Sequence, residues 1–186
     1  MRKKLDRRKK YTRKVLKESL IALLADDKPI SAVTVKEICE RADINRSTFY
    51  MHFSDPYDLL DHIESEIIED MVAHLSHYRF TIEEESLKMT QKLLEYIAEN
   101  RFLFQTLLVK NKDPAFEKRL MEVARRFMMS TVYHMNEADS RYLSTFVVSG
   151  AIHVIKDWLE NDMDLPPEKM AALINRFANH GMSRLY

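Results

Sequence analysis

Apolar residues recur at helical spacing along nearly the whole chain, and the breaks between these runs divide it into helices. Val15, Leu16, Leu20, Leu23 and Leu24 form one stripe, predicting a helix over 12–25. The stretch 26–33, with Pro29, reads as a loop. Val35, Ile38, Cys39 and Ala42 give a short second helix, and Thr34 followed by Glu37 is a capping-box signature that sets its start. Asp43, Ile44 and Asn45 break the pattern. Asn45 suits an N-cap, and Arg46 to Phe53 predicts a third helix that buries only Phe49 and Phe53. Ser54 or Asp55 caps the next helix, with Pro56 at its first position. Tyr57, Leu60, Ile63, Ile67, Met71 and Leu75 give it a stripe of about five turns.

From Glu83 onward the amphipathic runs continue. Helices are expected over Ser86–Glu99, Arg101–Val109, Pro114–Met135 and Ser140–Asp162, and a last one from Pro166 and Pro167. Phe146 to Ile155 is apolar nearly all round, which predicts burial on several sides. Gly150 in its middle costs about 1 kcal/mol relative to Ala, so another helix is expected to cross closely there. Only two Gly and five Pro occur in 186 residues, too few for sheets or a Gly-rich phosphate loop. The fold class is all-α: a three-helix helix-turn-helix head over 1–55 and a helical bundle over 56–186.

The polar positions then suggest what the head is for. Two short helices joined by a turn, the second held by two Phe and otherwise carrying Arg46, Ser47, Thr48, Tyr50, Met51 and His52, suit insertion into the major groove of DNA. Pattern alone leaves a ligand-free surface helix-turn-helix equally open. Charge shifts the balance. Residues 1–55 hold 14 Lys and Arg against 8 Asp and Glu, a balance of +6; residues 56–186 hold 15 against 21, a balance of −6. The formal zero of the whole chain is a cancellation, with the basic end beside the helix-turn-helix. The first ten residues carry seven basic ones and are expected to be partly unstructured without DNA, tracking phosphates or the minor groove when bound.

Thr48, Phe49, Tyr50, His52 and Phe53, followed by Leu59 and Leu60, resemble the recognition element of the TetR family of bacterial transcriptional regulators. Two positions depart from the family pattern. Asp43 stands where Gly is usual, tolerable because Asp enters positive φ more readily than most residues. Pro56 stands near where many members carry a phosphate-binding Lys. The segments NRFLFQTLL, FVVSGAIHVIKDWLENDM and PPEKMAALI resemble one TetR subgroup, that of the regulator of dihydroxyacetone kinase genes.

The resemblance implies a sequence-specific DNA-binding transcriptional regulator, a ligand-responsive dimeric repressor working on a palindromic operator. Arg46, Ser47, Thr48, Asn45 and Lys36 are assigned to bases, and Thr34, Tyr50 and His52 to phosphates. The homodimer is expected through the last two helices, with the long helix from Pro56 as the lever between effector and head. The alternative is a partner-dependent coactivator that docks another protein.

Further chemistry is limited. Aromatic and Met-rich stripes are more often plain core than cavity lining, although both residue types also suit an adaptable apolar pocket. The residues assigned to a pocket for a small apolar effector are Phe102, Leu107, Phe127, Met128, Phe146 and His153; for His153 a core or interface role is the commoner one. Glu66, Asp70, His74 and His77 share a helix face, but a solvated face is the commoner meaning and no metal is assigned. No cofactor and no catalytic group is expected: there are no paired Glu-x-x-His motifs, and no nucleophile has a visible base. Cys39, the sole cysteine, reads as a small buried apolar group. No signal segment and no membrane span is expected, and the cytoplasm is the natural compartment.

Overall fold

The computed structural model describes residues 2–76, 83–129 and 137–182, and within them the side chains of 7–76, 86–126 and 140–178. Among the described residues there are nine α-helices and no strand: α1 Arg2–Ala25, α2 Val35–Ala42, α3 Arg46–Tyr50, α4 Pro56–Leu75, α5 Glu83–Glu99, α6 Arg101–Phe104, α7 Pro114–Met129, α8 Glu137–Glu160 and α9 Pro167–Met182. The all-α class and the N-terminal helix-turn-helix therefore stand. The chain forms two compact units: residues 1–67 with 110–112, and residues 68–109 with 113–186.

Helix starts follow the local chemistry. Asp55, rather than Ser54, caps α4: its Oδ1 accepts from Asp58 N at 2.9 Å, while Asp58 Oδ2 accepts from Ser54 N at 2.7 Å. That backbone bond from Ser54 is the main reason the Asp58 carboxyl titrates below its usual range. Pro56 is the first residue of α4, as expected, and is buried. Asp113 does the same for α7, its Oδ1 accepting from Ala115 N at 2.8 Å ahead of Pro114.

The first unit is built on Leu16, Leu20 and Leu24 of α1, Ile38 and Cys39 of α2, the two Phe around α3, and Leu59, Leu60, Ile63 and Ile67 of α4, all buried. Tyr57, placed in the α4 stripe from sequence, is 54% exposed, while its neighbour Leu59 is buried instead. Burial pushes the Cys39 thiol up, which keeps it protonated and unreactive. The first helix does not begin at residue 12: α1 runs from Arg2, so the basic arm is its extension. Lys, Arg and Leu are good helix formers, and no Gly or Pro interrupts them. At its other end α1 has no basic residue in its last turn, and Lys110 Nζ donates to Ala25 O at 2.7 Å in place of one.

In the second unit α5 packs on α9 and α7 on α8. Ser86 Oγ donates to Asn175 Oδ1 at 3.1 Å, and Tyr96, Phe104 and Phe116 stack in series at 6.0 and 6.3 Å. The helix expected over Arg101–Val109 is α only to Phe104 and becomes a wider π-helix over Gln105–Lys110. Trp158, buried, donates its indole N–H to Leu165 O at 2.8 Å and secures the turn after α8. Asp162 and Met163 take positive φ in that turn, each at 56°.

The several-sided burial expected of α8 is not supplied by the described residues of one chain. Within this chain it is buried along one side only, by Val148, Ile152, Ile155, Trp158 and Leu159, while Phe146 is 79% and Tyr142 67% exposed. Among the described residues nothing lies within 4 Å of a Cβ placed on Gly150, so the close crossing expected there is not made by them. The apolar excess of α8 thus exceeds what its own chain covers.

Candidate nucleic-acid interface

The capping box at α2 forms as its sequence implies. Glu37 N donates to Thr34 Oγ1 at 3.3 Å, and Glu37 Oε2 accepts from Thr34 N at 3.0 Å and from Thr34 Oγ1 at 2.8 Å. The other oxygen, Oε1, takes the ammonium of Lys28. Lys28 first, then Thr34, pull the Glu37 carboxyl from 4.5 down to about 2. A carboxylate with a lowered pKa adds stability above its unfolded value and loses it as pH falls through the folded one. Glu37→Gln is therefore expected to lower the melting temperature by a nearly constant amount above pH 4.5, the gap closing as the pH approaches about 2. Melts across that range check it; a gap independent of pH would show that the charge contributes nothing.

Between the helices, Asp43 adopts φ 52°, ψ 46°, the left-handed turn for which the family pattern uses Gly. Ile44 N donates to Cys39 O at 3.0 Å and closes the angle. Asn45 stands at the N-cap of α3, but its side chain makes no capping bond. Its backbone carbonyl accepts from Thr48 N at 2.9 Å and Phe49 N at 3.1 Å. The third helix is shorter than expected, ending at Tyr50 rather than Phe53. His52 N and Phe53 N both turn back to Phe49 O, at 2.8 and 2.9 Å, because Ser54 and the capped start of α4 follow at once.

Phe49 and Phe53 are 0% and 2% exposed, with ring centroids 5.9 Å apart. Of the eight residues assigned to DNA, Thr34, Lys36, Asn45, Arg46, Ser47 and Tyr50 are exposed, and Thr48 and His52 are half-buried. An open groove of about 360 Å³ runs between the second helix and the start of the third, lined by Lys36, Cys39, Glu40, Asp43, Ile44, Asn45 and Arg46. Thr34 spends both its N–H and its hydroxyl on Glu37. Burial, and then the charges of Arg13 and Lys9, push the His52 imidazole below its usual range. Lys28 was not singled out from sequence, because its partner is nine positions away across a loop.

Of the six effector-pocket candidates, four have described side chains. Leu107 is buried, Phe102 is 59% and Phe146 79% exposed, and His153 is exposed with Nδ1 2.8 Å from Ser149 O. Phe127 and Met128 lie outside the described side chains. On the α4 face that carries Glu66, Asp70 and His74, Glu66 pairs with Lys17 and His74 lies 5.9 Å from the Tyr96 ring, while His77 is outside the described residues.

Family comparisons agree with this geometry. The model of bacterial regulatory proteins of the tetR family matches residues 22–63, covering the helix-turn-helix. A second model, the transcriptional regulator C-terminal region of the same family, matches residues 84–180, more than half of the chain. The chain belongs to the TetR family of transcriptional regulators. Among curated relatives, the uncharacterized HTH-type transcriptional regulator YxbF of Bacillus subtilis (strain 168) is 29% identical over 170 residues, a match covering 84% of this chain. The chain spans only 42% of the length of that relative. Among solved structures, a TetR transcriptional regulator from Streptococcus agalactiae 2603V aligns with TM-score 0.72 and 20% identity, covering 96% of this chain and 99% of that one. The dihydroxyacetone kinase operon activator DhaS aligns with TM-score 0.63 and 16% identity, covering 92% and 96%. At these identities the likeness establishes the TetR fold, and it does not single out the DhaS subgroup. No described helix is long and apolar enough to cross a membrane.

Proposed function

We propose that this TetR protein is a cytoplasmic homodimer that binds a palindromic operator through Arg46, Ser47, Thr48, Asn45 and Lys36 on bases and Tyr50 and His52 on phosphates, with Thr34 joining them by turning its hydroxyl from Glu37 to the duplex. The observation that carries this reading is α3 itself: five residues long, anchored by two buried Phe, with Arg46, Ser47 and Tyr50 left exposed. A helix with this division of faces can enter a groove without uncovering the core that holds it. The functional division proposed is a DNA-binding head, residues 1–55, and an effector-binding and dimerisation body, 56–186. Dimerisation through α8 and α9 is supported by the exposed Tyr142, Phe146, Val154 and Phe177 and by the open space at Gly150. A small apolar effector that binds one arrangement of the two heads better than another would release the operator, which makes the protein a repressor.

The test is selection of sequences from a randomised duplex pool by the purified protein. An enriched inverted repeat supports the reading, and a pool that stays unenriched would sink it. Arg46→Ala is expected to weaken binding to the enriched site by about 1–3 kcal/mol and to relax one base position in each half-site. An unchanged preference in that variant removes Arg46 from the base-reading set.

A second reading, a coactivator that docks a partner protein in place of a small molecule, draws on Phe102, 59% exposed on α6. The likeness to DhaS, an operon activator, points the same way. Addition of apolar ligands that leaves operator binding unchanged would favour it.

A further inference from the structure

Both carboxylates of α2 are paired with lysines, but in different ways. Glu40 and Lys36 lie i, i+4 on an open surface, 3.7 Å apart, with more than half of each side chain in solvent. Such a pair is worth little and opens readily. Glu37 is held from three directions, by Thr34 N, Thr34 Oγ1 and Lys28 Nζ, and the side chains of Lys28 and Glu37 are only 29% and 36% exposed. The box does not require Lys28 for its geometry, since Thr34 supplies both reciprocal bonds by itself. What Lys28 adds is charge. A carboxylate at the N-terminus of a helix suits the helix dipole, yet this one stands beside Thr34 and Lys36, where a polyanion is proposed above to approach.

We infer that Lys28 is a positioning residue for DNA binding: it cancels the negative charge of Glu37 at the start of α2, so that the cap which stabilises the helix does not repel phosphate. The inference rests on the proposed DNA-binding role and specifies how one face of the head is made compatible with it. The ammonium of Lys28 is bound to Glu37 Oε1. Its contribution to binding passes through Glu37. That distinguishes it from the ordinary surface lysine, whose contribution is its own contact with the backbone of the duplex.

A double-mutant cycle on the full chain separates the two. Lys28→Met, Lys28→Arg, Glu37→Gln and the double variant K28M/E37Q are titrated with the duplex enriched by selection, at two salt concentrations. Melting temperatures are recorded alongside, as a readout of folding. Gln at this position keeps the capping box while removing the charge. Lys28→Met is expected to lose affinity on the order of tenfold, more at the lower salt. Lys28→Arg is expected to retain affinity within about twofold, and K28M/E37Q to regain most of the loss. Affinity unchanged in Lys28→Met overturns the inference, and so does a loss that Glu37→Gln does not rescue, which would make Lys28 a direct phosphate contact. A wild-type protein that binds no duplex overturns the DNA-binding reading itself, a result distinguishable from either.

Discussion

Phe49→Ala is expected to destabilise the head by about 3–5 kcal/mol, the range for deleting a fully buried aromatic ring. The ring is 0% exposed and sits between Tyr50, 5.6 Å away edge-on, and Phe53 at 5.9 Å. A helix of five residues has no stability of its own in water, so α3 exists only because this face is buried. Against a typical total of about 5–15 kcal/mol, such a loss leaves little or nothing. Chemical denaturation monitored by circular dichroism reads it directly. Tyr50→Ala, one position further and 59% exposed, serves as the control and is expected to change stability by less than about 0.5 kcal/mol. Equal effects from the two would show that Phe49 is not the peg its burial makes it.

Phe146→Arg is expected to leave the single chain folded and to separate the dimer. Phe146 is 79% exposed, so its replacement removes almost nothing from the core of its own chain. In a two-fold interface every substitution occurs twice. Burying one Phe contributes about 1.5–3 kcal/mol, so two sites, before any charge is buried, weaken the pair by about 3–6 kcal/mol. That is roughly a 10²- to 10⁴-fold change in the dimer dissociation constant. Sedimentation at micromolar concentration is expected to show monomer, with helical content unchanged and operator binding lost. A variant that stays dimeric moves the interface away from this face of α8.

What was legible in the sequence was what residues do to neighbours three or four positions away. Thr34 with Glu37, Asp43 in the left-handed turn, Asn45 at the cap position and Pro56 at a helix start all rest on local backbone chemistry, and the structure has each of them. The pairing of Phe49 with Phe53 followed from the same periodicity. The shortening of α3 was not legible, because it depends on how soon the Asp55 cap claims the chain. Nor was the start of α1 at Arg2, since charge argued for a solvated arm while helix propensity, unopposed by any breaker, carries the helix through.

The exposed face of α8 has another origin. Hydrophobicity reports that a position is to be covered, not by which chain. Phe146 and Gly150 call for cover that the described residues of their own chain do not supply, and the homodimer expected through the last two helices is the other source. For the effector pocket, the same ambiguity spread the four candidates with described side chains over buried and exposed positions alike. The Lys28–Glu37 pair lay beyond the helical period and needed the loop's path.

The contact from Lys110 to the last carbonyl of α1 makes the head a composite of two distant stretches of sequence. A gene fragment ending after the recognition motif would encode every proposed base-reading group, and yet leave the first helix without the cation at its tail. Grafting that fragment onto a foreign body, a common way to build hybrid regulators, would therefore transplant an incomplete module. The recipient would have to provide an amine of its own.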